Sequence, residues 1–154
     1  MRGARASLGC LYSDWAWAER ATAGAAVHER AIEGENLNRE VMAVRERDAK
    51  YAAWRKADLR SRLGGALSIV AFTDPSLTAT TREPKLVEAE AFLEQGQAGT
   101  DQDKNAETKY RRDGIERFIR LYEAWPRPDK LAGWKQKLAA FDDAEAKKNK
   151  PAQP

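Results

Sequence analysis

Apolar residues recur at the period of an α-helix along much of the chain, and the pattern is clearest between residues 110 and 141. One stripe is formed by residues at positions i, i+3, i+4 and i+7, the spacing of a single helix face: Ile115, Phe118, Ile119 and Tyr122. A second stripe follows it: Leu131, Trp134, Leu138 and Phe141. Pro126 and Pro128 lie between the stripes and exclude one continuous helix, because proline lacks the N–H group and clashes with the preceding turn. The segment therefore predicts two helices that fold back on each other as an antiparallel hairpin.

Weaker stripes of the same period predict four more helices upstream. They cover, in order, residues 13–30, 35–47, 51–70 and 86–95. The segment 73–84 contains two prolines and a cluster of threonines, so we expect it to be an inserted loop, and 97–104 to be a polar loop. Residues 1–11 and 143–154 carry no apolar stripe and are predicted to be flexible termini. The segment 12–142 is then a single helical domain.

Composition favours helices over strands. Of the 154 residues, 33% are charged and 42% are hydrophobic, and extended runs of valine, isoleucine and threonine are missing. We therefore predict an all-α fold. Gly64 and Gly65 fall inside a strong helical pattern, where each costs about 1 kcal/mol relative to alanine. Two adjacent glycines at such a place predict the close approach of a neighbouring helix.

Cys10 is the only cysteine, so the chain cannot form an intramolecular disulfide, and a reducing compartment fits best. No window approaches the roughly 18 consecutive apolar residues that a membrane span needs. The sequence therefore predicts a soluble, cytoplasmic protein with no membrane partner. The net charge of +3 permits an acidic partner without requiring one.

Internal repetition gives the strongest indication of the fold. The tetratricopeptide signature is W-x2-L-G-x2-Y followed by A-x3-F on a helix–turn–helix. Its slots are filled in this chain, in order, by Arg60, Leu63, Gly64 and Leu67, then Ala89 and Leu93. Leu131, Ala89 and Gly34 are taken as equivalent positions of successive repeats. This alignment predicts three repeat units, with an insertion at the 73–84 segment.

Three runs carry a resemblance to a known family: Asn38–Glu46, Trp54–Leu67 and Leu121–Trp134. Over residues 34–140 the chain resembles the long, kinesin-light-chain-like tetratricopeptide repeats of bacteria, which are often fused to serine/threonine protein kinases. The resemblance implies a right-handed superhelix of about three antiparallel helix–turn–helix hairpins, with six helices. It also implies a non-enzymatic scaffold or adaptor that binds a protein or peptide.

In such repeats the first helix of each hairpin lines a concave groove. The residues that the resemblance places in the groove are Glu19, Ala23, Asp58, Ser61, Arg62, Asp113, Glu116, Arg120 and Glu123. The family's carboxylate-gripping variety uses lysines and asparagines there, whereas acids and small residues predominate among these positions, so that ligand is not predicted. The identity of the partner stays open, and self-association through the end hairpin is a further alternative.

Signatures of enzymes are missing from the sequence. His28 is the sole histidine and has no second ligand at metal-binding spacing. Gly64 and Gly65 are not followed by the lysine and hydroxyl residue of a phosphate loop, and the motifs of protein kinases are missing. We therefore expect no enzymatic activity, no metal and no cofactor.

A small, basic, helical nucleic-acid-binding protein is the main alternative, because five tryptophans could stack on bases. Lysine and arginine alternate with carboxylates on every helix, however, and do not form one basic face. Four tryptophans occupy helix positions that favour burial: Trp15, Trp54, Trp125 and Trp134. A further alternative is a fragment of a longer repeat or kinase protein that has no role of its own.

Overall fold

A computed structural model describes residues 2–22 and 24–148, with side chains from 7–21 and 24–148. This part of the chain contains six α-helices, which confirms the prediction of an all-α fold with six helices. They are α1 (Arg2–Glu19), α2 (Ala25–Glu46), α3 (Ala53–Thr73), α4 (Ala79–Gln102), α5 (Thr108–Ala124) and α6 (Pro128–Lys148). A short 3-10 turn, Arg20–Thr22, follows α1.

Each helix packs antiparallel against the next helix in the chain. In α3 and α4, for example, Gly64 faces Ala89, whereas Ala57 near the start of α3 faces Gly99 near the end of α4. Because every step reverses the direction, α1, α3 and α5 run the same way. The central helix is α3, which contacts α1, α2, α4 and α5.

The first two hairpins cross at equivalent contacts between a serine and a glycine. A Cβ atom built on Gly34 of α2 would lie 3.2 Å from the backbone nitrogen of Ser13 on α1. A Cβ atom on Gly96 of α4 would lie 2.6 Å from the backbone nitrogen of Ser61 on α3. At both crossings the helices are too close for a larger residue than glycine.

The turn that follows each glycine repeats the same arrangement. Asn38 Nδ2 donates to the Gly34 carbonyl oxygen at 2.8 Å, and Thr100 Oγ1 donates to the Gly96 carbonyl oxygen at 3.1 Å. The equivalent of Gly34 is therefore Gly96, and the frame that paired Gly34 with Ala89 is wrong. Apolar periodicity could not reveal this, because both positions lie on the same side of α4, two turns apart.

The third hairpin crosses through aromatic rings. Phe118 of α5 and Trp134 of α6 stack with ring centroids 3.8 Å apart and an interplanar angle of 7°. Phe118 is completely enclosed, whereas none of the residues of α6 is fully buried. The predicted stripe of α6 therefore covers one edge of the molecule, and its residues stay partly exposed: Leu131, Trp134, Leu138 and Phe141.

The first break between helices differs from the sequence prediction. Helix α1 ends at Glu19 and α2 begins at Ala25, with Gly24 in an extended conformation as its N-cap, so the helices do not break between residues 30 and 35. Gly34 lies inside α2, where the lack of a side chain allows α1 to pack closely. Residues 2–11 belong to α1, so the first helix begins earlier than the predicted residue 13.

The predicted loop over 73–84 is reduced to a five-residue turn, 74–78. Helix α4 begins at Ala79 because Thr78 and Thr81 form a capping box, in which each side chain bonds the other residue's backbone N–H group. Pro84 lies in the second turn of α4, where its missing N–H group removes one backbone hydrogen bond without ending the helix. The threonine cluster is thus a helix start.

Two further helices, α4 and α6, extend beyond their predicted ends. Helix α4 continues to Gln102 through the predicted polar loop, because Gly96 and Gly99 pack against α3 and do not end the helix. No glycine in the described residues has a positive φ. Helix α6 continues to Lys148, beyond the predicted limit at residue 142, and residues 149–154 lie outside the described part. The assignment of 12–142 to a single domain stays a prediction.

The tryptophans follow the burial prediction only in part. Trp54 is buried, and Trp125 and Trp134 pack at the edge of the core cluster around Phe118. Trp15 contradicts the prediction, because 43% of it is exposed. The guanidinium group of Arg30 covers one face of its ring, 3.8 Å from the ring centroid.

Candidate functional site

A groove of about 500 Å³ lies between α1 and α5, with α3 at its floor. Its lining comes from the three helices that run in the same direction, each of which is the first helix of a hairpin. The lining residues are Ser7, Cys10, Leu11, Asp14, Arg62, Lys109, Tyr110, Asp113, Glu116, Arg117 and Arg120. We refer to this surface as the α1/α3/α5 groove.

The structure brings four of the nine predicted site residues together in this groove. They are Arg62, Asp113, Glu116 and Arg120. Two others, Asp58 and Ser61, are fully buried on α3. They lie beneath the groove, where Asp58 pairs with the lining residue Arg62.

The remaining predicted residues lie elsewhere. Glu19 is at the C-terminal end of α1, where it pairs with Arg30 and accepts a hydrogen bond from the Trp15 indole. Glu123 lies at the end of α5 and pairs with Lys135 of α6 at 3.3 Å. Ala23 lies outside the described residues.

A buried ion cluster forms the floor of the groove. Arg62 Nε lies 2.7 Å from Asp58 Oδ2, and Arg117 Nη1 lies 3.5 Å from Asp58 Oδ1 and donates to Ser61 Oγ at 2.9 Å. The exposed fractions of these side chains are 16% for Arg62, 15% for Arg117 and 6% for Asp58. Two guanidinium groups on different helices thus share one buried carboxylate.

Gly65 explains how Arg117 reaches this position from α5. A Cβ atom at Gly65 would lie 3.2 Å from Arg117 Cδ, so the hydrocarbon part of the arginine crosses α3 at the glycine. The two glycines predicted to accommodate a neighbouring helix therefore serve two different neighbours. Gly64 makes room for the backbone of α4, and Gly65 for a side chain of α5.

A small recess of about 40 Å³ opens from the floor toward α2. It shares Cys10, Asp14, Arg62, Arg117 and Arg120 with the groove, and Ser13, Asn38 and Ser68 add polar atoms deeper inside. The side chain of Asn38 is 1% exposed, and its Oδ1 atom has no hydrogen-bond partner within the described residues. The volume exceeds the roughly 10–15 Å³ that one water molecule requires, so the recess can hold a small polar group.

Ion pairs bridge the groove and its rim. Arg120 Nη1 of α5 lies 2.5 Å from Asp14 Oδ1 of α1, so this pair spans the groove beside the recess. On α5, Arg112 binds the lining residue Glu116 and also Asp142 of α6. The charged groups of the walls are therefore held in position by partners on neighbouring helices.

The sequence interpretation expected α1 to line the groove through Glu19 and missed the residues nearer its start: Ser7, Cys10, Leu11 and Asp14. The first three precede residue 13, where the helix is predicted to begin. On α5 it missed Lys109, Tyr110 and Arg117. Arg117 was detectable, since it lies four residues after Asp113 and three before Arg120, on the same helix face. With Lys109 it raises the cationic residues of the lining to four against three carboxylates, so acids do not predominate.

Cys10 lies where the recess meets the groove. Burial raises the pKa of the Cys10 thiol, and the nearby guanidinium groups of Arg62 and Arg117 only partly oppose that rise. The thiol is therefore protonated near neutral pH. A protonated, partly buried thiol is a weak nucleophile and a weak metal ligand.

The described residues contain no group of three or more histidine, cysteine, aspartate and glutamate side chains that could hold a metal ion. His28 Nδ1 lies 3.1 Å from Thr73 Oγ1, in the contact between α2 and α3. No helix in the described ranges has the length and apolarity needed to cross a membrane.

Comparisons of the chain with protein-family models, with curated proteins and with solved structures give no match.

Proposed function

We propose that this chain is a non-enzymatic protein-interaction module, which binds a peptide or protein segment in the α1/α3/α5 groove. The groove itself is the observation that carries the proposal. Three helices separated in sequence contribute side chains to one concave surface, and their positions are fixed by the packing of the second helices behind them. A volume of about 500 Å³ falls in the range of about 300–1,000 Å³ typical of ligand sites.

The lining favours a flexible polar chain as ligand. Four cationic and three carboxylate groups line the groove, and Leu11 and Tyr110 add apolar surface. Charges of both signs match the alternating donors and acceptors of a peptide and its side chains. A nucleic acid would require a surplus of cations along its phosphates, and the groove does not favour that alternative.

A relationship to tetratricopeptide repeats is part of the same proposal. The equivalent serine–glycine crossings of the first two hairpins support it, since repetition of one helix pair is the basis of such arrays. We extend the proposal to the adaptor role that the sequence resemblance implies, including association with bacterial kinases. The partner would then be a protein segment.

A peptide library displayed on phage tests this function. Peptides selected on the full chain are measured by fluorescence polarisation against the unmodified protein and two matched variants. Asp113→Arg reverses a charge in the groove, and Asp143→Arg makes the same change on an exposed part of α6. We expect micromolar dissociation constants, which rise at least tenfold in Asp113→Arg and less than twofold in Asp143→Arg.

Equal effects of the two substitutions, or no selectable peptide, would contradict the proposal. The same assay with a DNA or RNA fragment at low salt examines the alternative. Micromolar affinity that falls steeply as salt is raised would favour a nucleic-acid-binding protein, because released counterions produce that dependence.

A further inference from the structure

The charges at the floor of the groove do not balance. Arg62 and Arg117 face a single carboxylate, Asp58, and the adjacent Arg120 faces Asp14. Three guanidinium groups against two carboxylates leave one positive charge in a region where the arginines of the floor are mostly buried. Cys10 is protonated, so it does not compensate that charge.

Other charged groups around the groove do not supply the missing anion. Glu116 also lines the groove, but within the described residues no ion pair joins it to Arg62 or Arg117, and its carboxylate lies 2.5 Å from Arg112 Nη1. Lys109 and Asp113, one helical turn apart on the same wall, carry opposite charges. The surplus therefore belongs to the floor.

The guanidinium groups of the floor also keep free donors. Each guanidinium carries five N–H donors. Arg117 donates through Nη1 to Asp58 and Ser61, whereas the buried Arg62 Nε lies 2.7 Å from Asp58 Oδ2 but has no hydrogen-bond partner within the described residues. Both arginines line the groove and the recess behind it. Asp58 holds the two groups side by side, an arrangement that suits an oxygen anion bound by both.

We infer that the floor of the α1/α3/α5 groove is an oxyanion subsite, in which Arg62 and Arg117 together bind a carboxylate or phosphate group of the ligand. The inference rests on the proposed function for the segment that would carry this group. The subsite itself can be tested without that segment. A carboxylate supplies two acceptor oxygens and a phosphate three, and the arms of the test distinguish these groups.

Arginine side-chain NMR provides the test. The Nε–Hε signals of the full chain are followed while chloride is replaced by sodium acetate, or separately by inorganic phosphate, at constant ionic strength. We expect saturable shifts of the Arg62 and Arg117 signals with at least one of the two anions, with a millimolar dissociation constant. The signal of Arg112, which pairs on the surface, serves as the internal control and should move little and linearly.

If only acetate saturates the shifts, the subsite binds a carboxylate group. If only phosphate does, it binds a phosphate group, and if both do, it binds oxyanions generally. In Arg117→Met, which keeps the hydrocarbon contact with Gly65 and leaves Arg62 paired with Asp58, the dissociation constant should rise at least tenfold. Linear shifts with both anions in the unmodified protein, or shifts equal to those of Arg112, would overturn the inference even if the variant does not fold. Peptide binding that depends on Asp113 would survive that result, so the two proposals fail separately.

Discussion

Gly64 of α3 lies directly against Ala89 of α4. A Cβ atom at Gly64 would approach the Ala89 carbonyl oxygen to 2.7 Å and the backbone nitrogen of Leu93 to 2.9 Å. Backbone atoms of a helix cannot move aside as the end of a flexible side chain can. The central pair of helices is therefore held at a distance that only glycine permits at this position.

Gly64→Ala should destabilise the protein by about 1–3 kcal/mol, because the added methyl group overpacks the contact with α4. Gly133→Ala is the matched control. Gly133 also lies inside a helix, but nothing is within 4 Å of its Cβ position, so alanine should stabilise by up to about 1 kcal/mol through its better helix propensity. Thermal melts decide between them, and stabilisation by both substitutions would refute the close contact.

Asp58→Ala should cost about 3–5 kcal/mol, since it leaves two mostly buried guanidinium groups without their carboxylate. Asp142→Ala removes the exposed partner of Arg112 and should cost much less, because solvent screens a surface ion pair. Urea unfolding of both variants measures the two losses. If they were equal, the buried cluster would not contribute to stability in the way that its geometry indicates.

The capping box gives a prediction for the start of α4. Thr78→Ala removes the side-chain acceptor of the Thr81 N–H group and should lower stability by about 0.5–2 kcal/mol. Thr80→Ala, two residues further on at an exposed position of the first turn, should change it by no more than about 0.5 kcal/mol. Similar melting temperatures for the two variants would indicate that the segment is the loop expected from the sequence.

Glu90 should make the stability of the protein depend on acid pH. It accepts hydrogen bonds from Tyr122 and Lys130 and so joins α4 to α5 and α6. Burial alone would raise the pKa of Glu90, but hydrogen bonds from Lys130 and Tyr122 outweigh it, and the pKa lies below its ordinary value of 4.5. The charged form is therefore favoured by folding. Its contribution is fully present above pH 4.5 and is lost as the pH falls through the folded-state pKa.

The measurement compares unfolding free energies at pH 7 and pH 3. The unmodified protein should lose more stability between these values than Glu90→Gln, which has no carboxylate to titrate. Tyr122→Phe, which keeps Lys130 as a donor, should give an intermediate loss. An equal loss in all three proteins would contradict the role given to Glu90.

The fold class could be predicted from the sequence because a helix that buries one face has apolar residues at a helical period, such as Ile115, Phe118, Ile119 and Tyr122. The exact ends of the helices could not be predicted in this way. The sequence does not show whether a glycine caps a helix, as Gly24 does, or allows a neighbouring helix to pack closely, as Gly34 and Gly96 do. Only the neighbouring helix decides between these uses.

The candidate site was recoverable where it depends on one helix face and lost where it depends on tertiary contacts. Asp113, Glu116 and Arg120 share a face of α5, and their common position in the groove follows from spacing alone. The sharing of Asp58 by Arg62 and Arg117 joins residues on two helices, 55 positions apart from Arg62 to Arg117 in the sequence. A pattern of nearby residues in the sequence cannot predict a contact between two helices.

The most direct test of the binding groove is an NMR titration of the nitrogen-15-labelled protein with a selected peptide. We expect the largest backbone shifts at groove residues of different helices, such as Leu11 on α1, Arg62 on α3 and Tyr110 on α5. Gly133 lies on α6, which contributes no residue to the groove, so its amide should stay unchanged. Shifts concentrated on α2, α4 or α6, with Leu11 and Tyr110 unaffected, would contradict a binding groove between α1, α3 and α5.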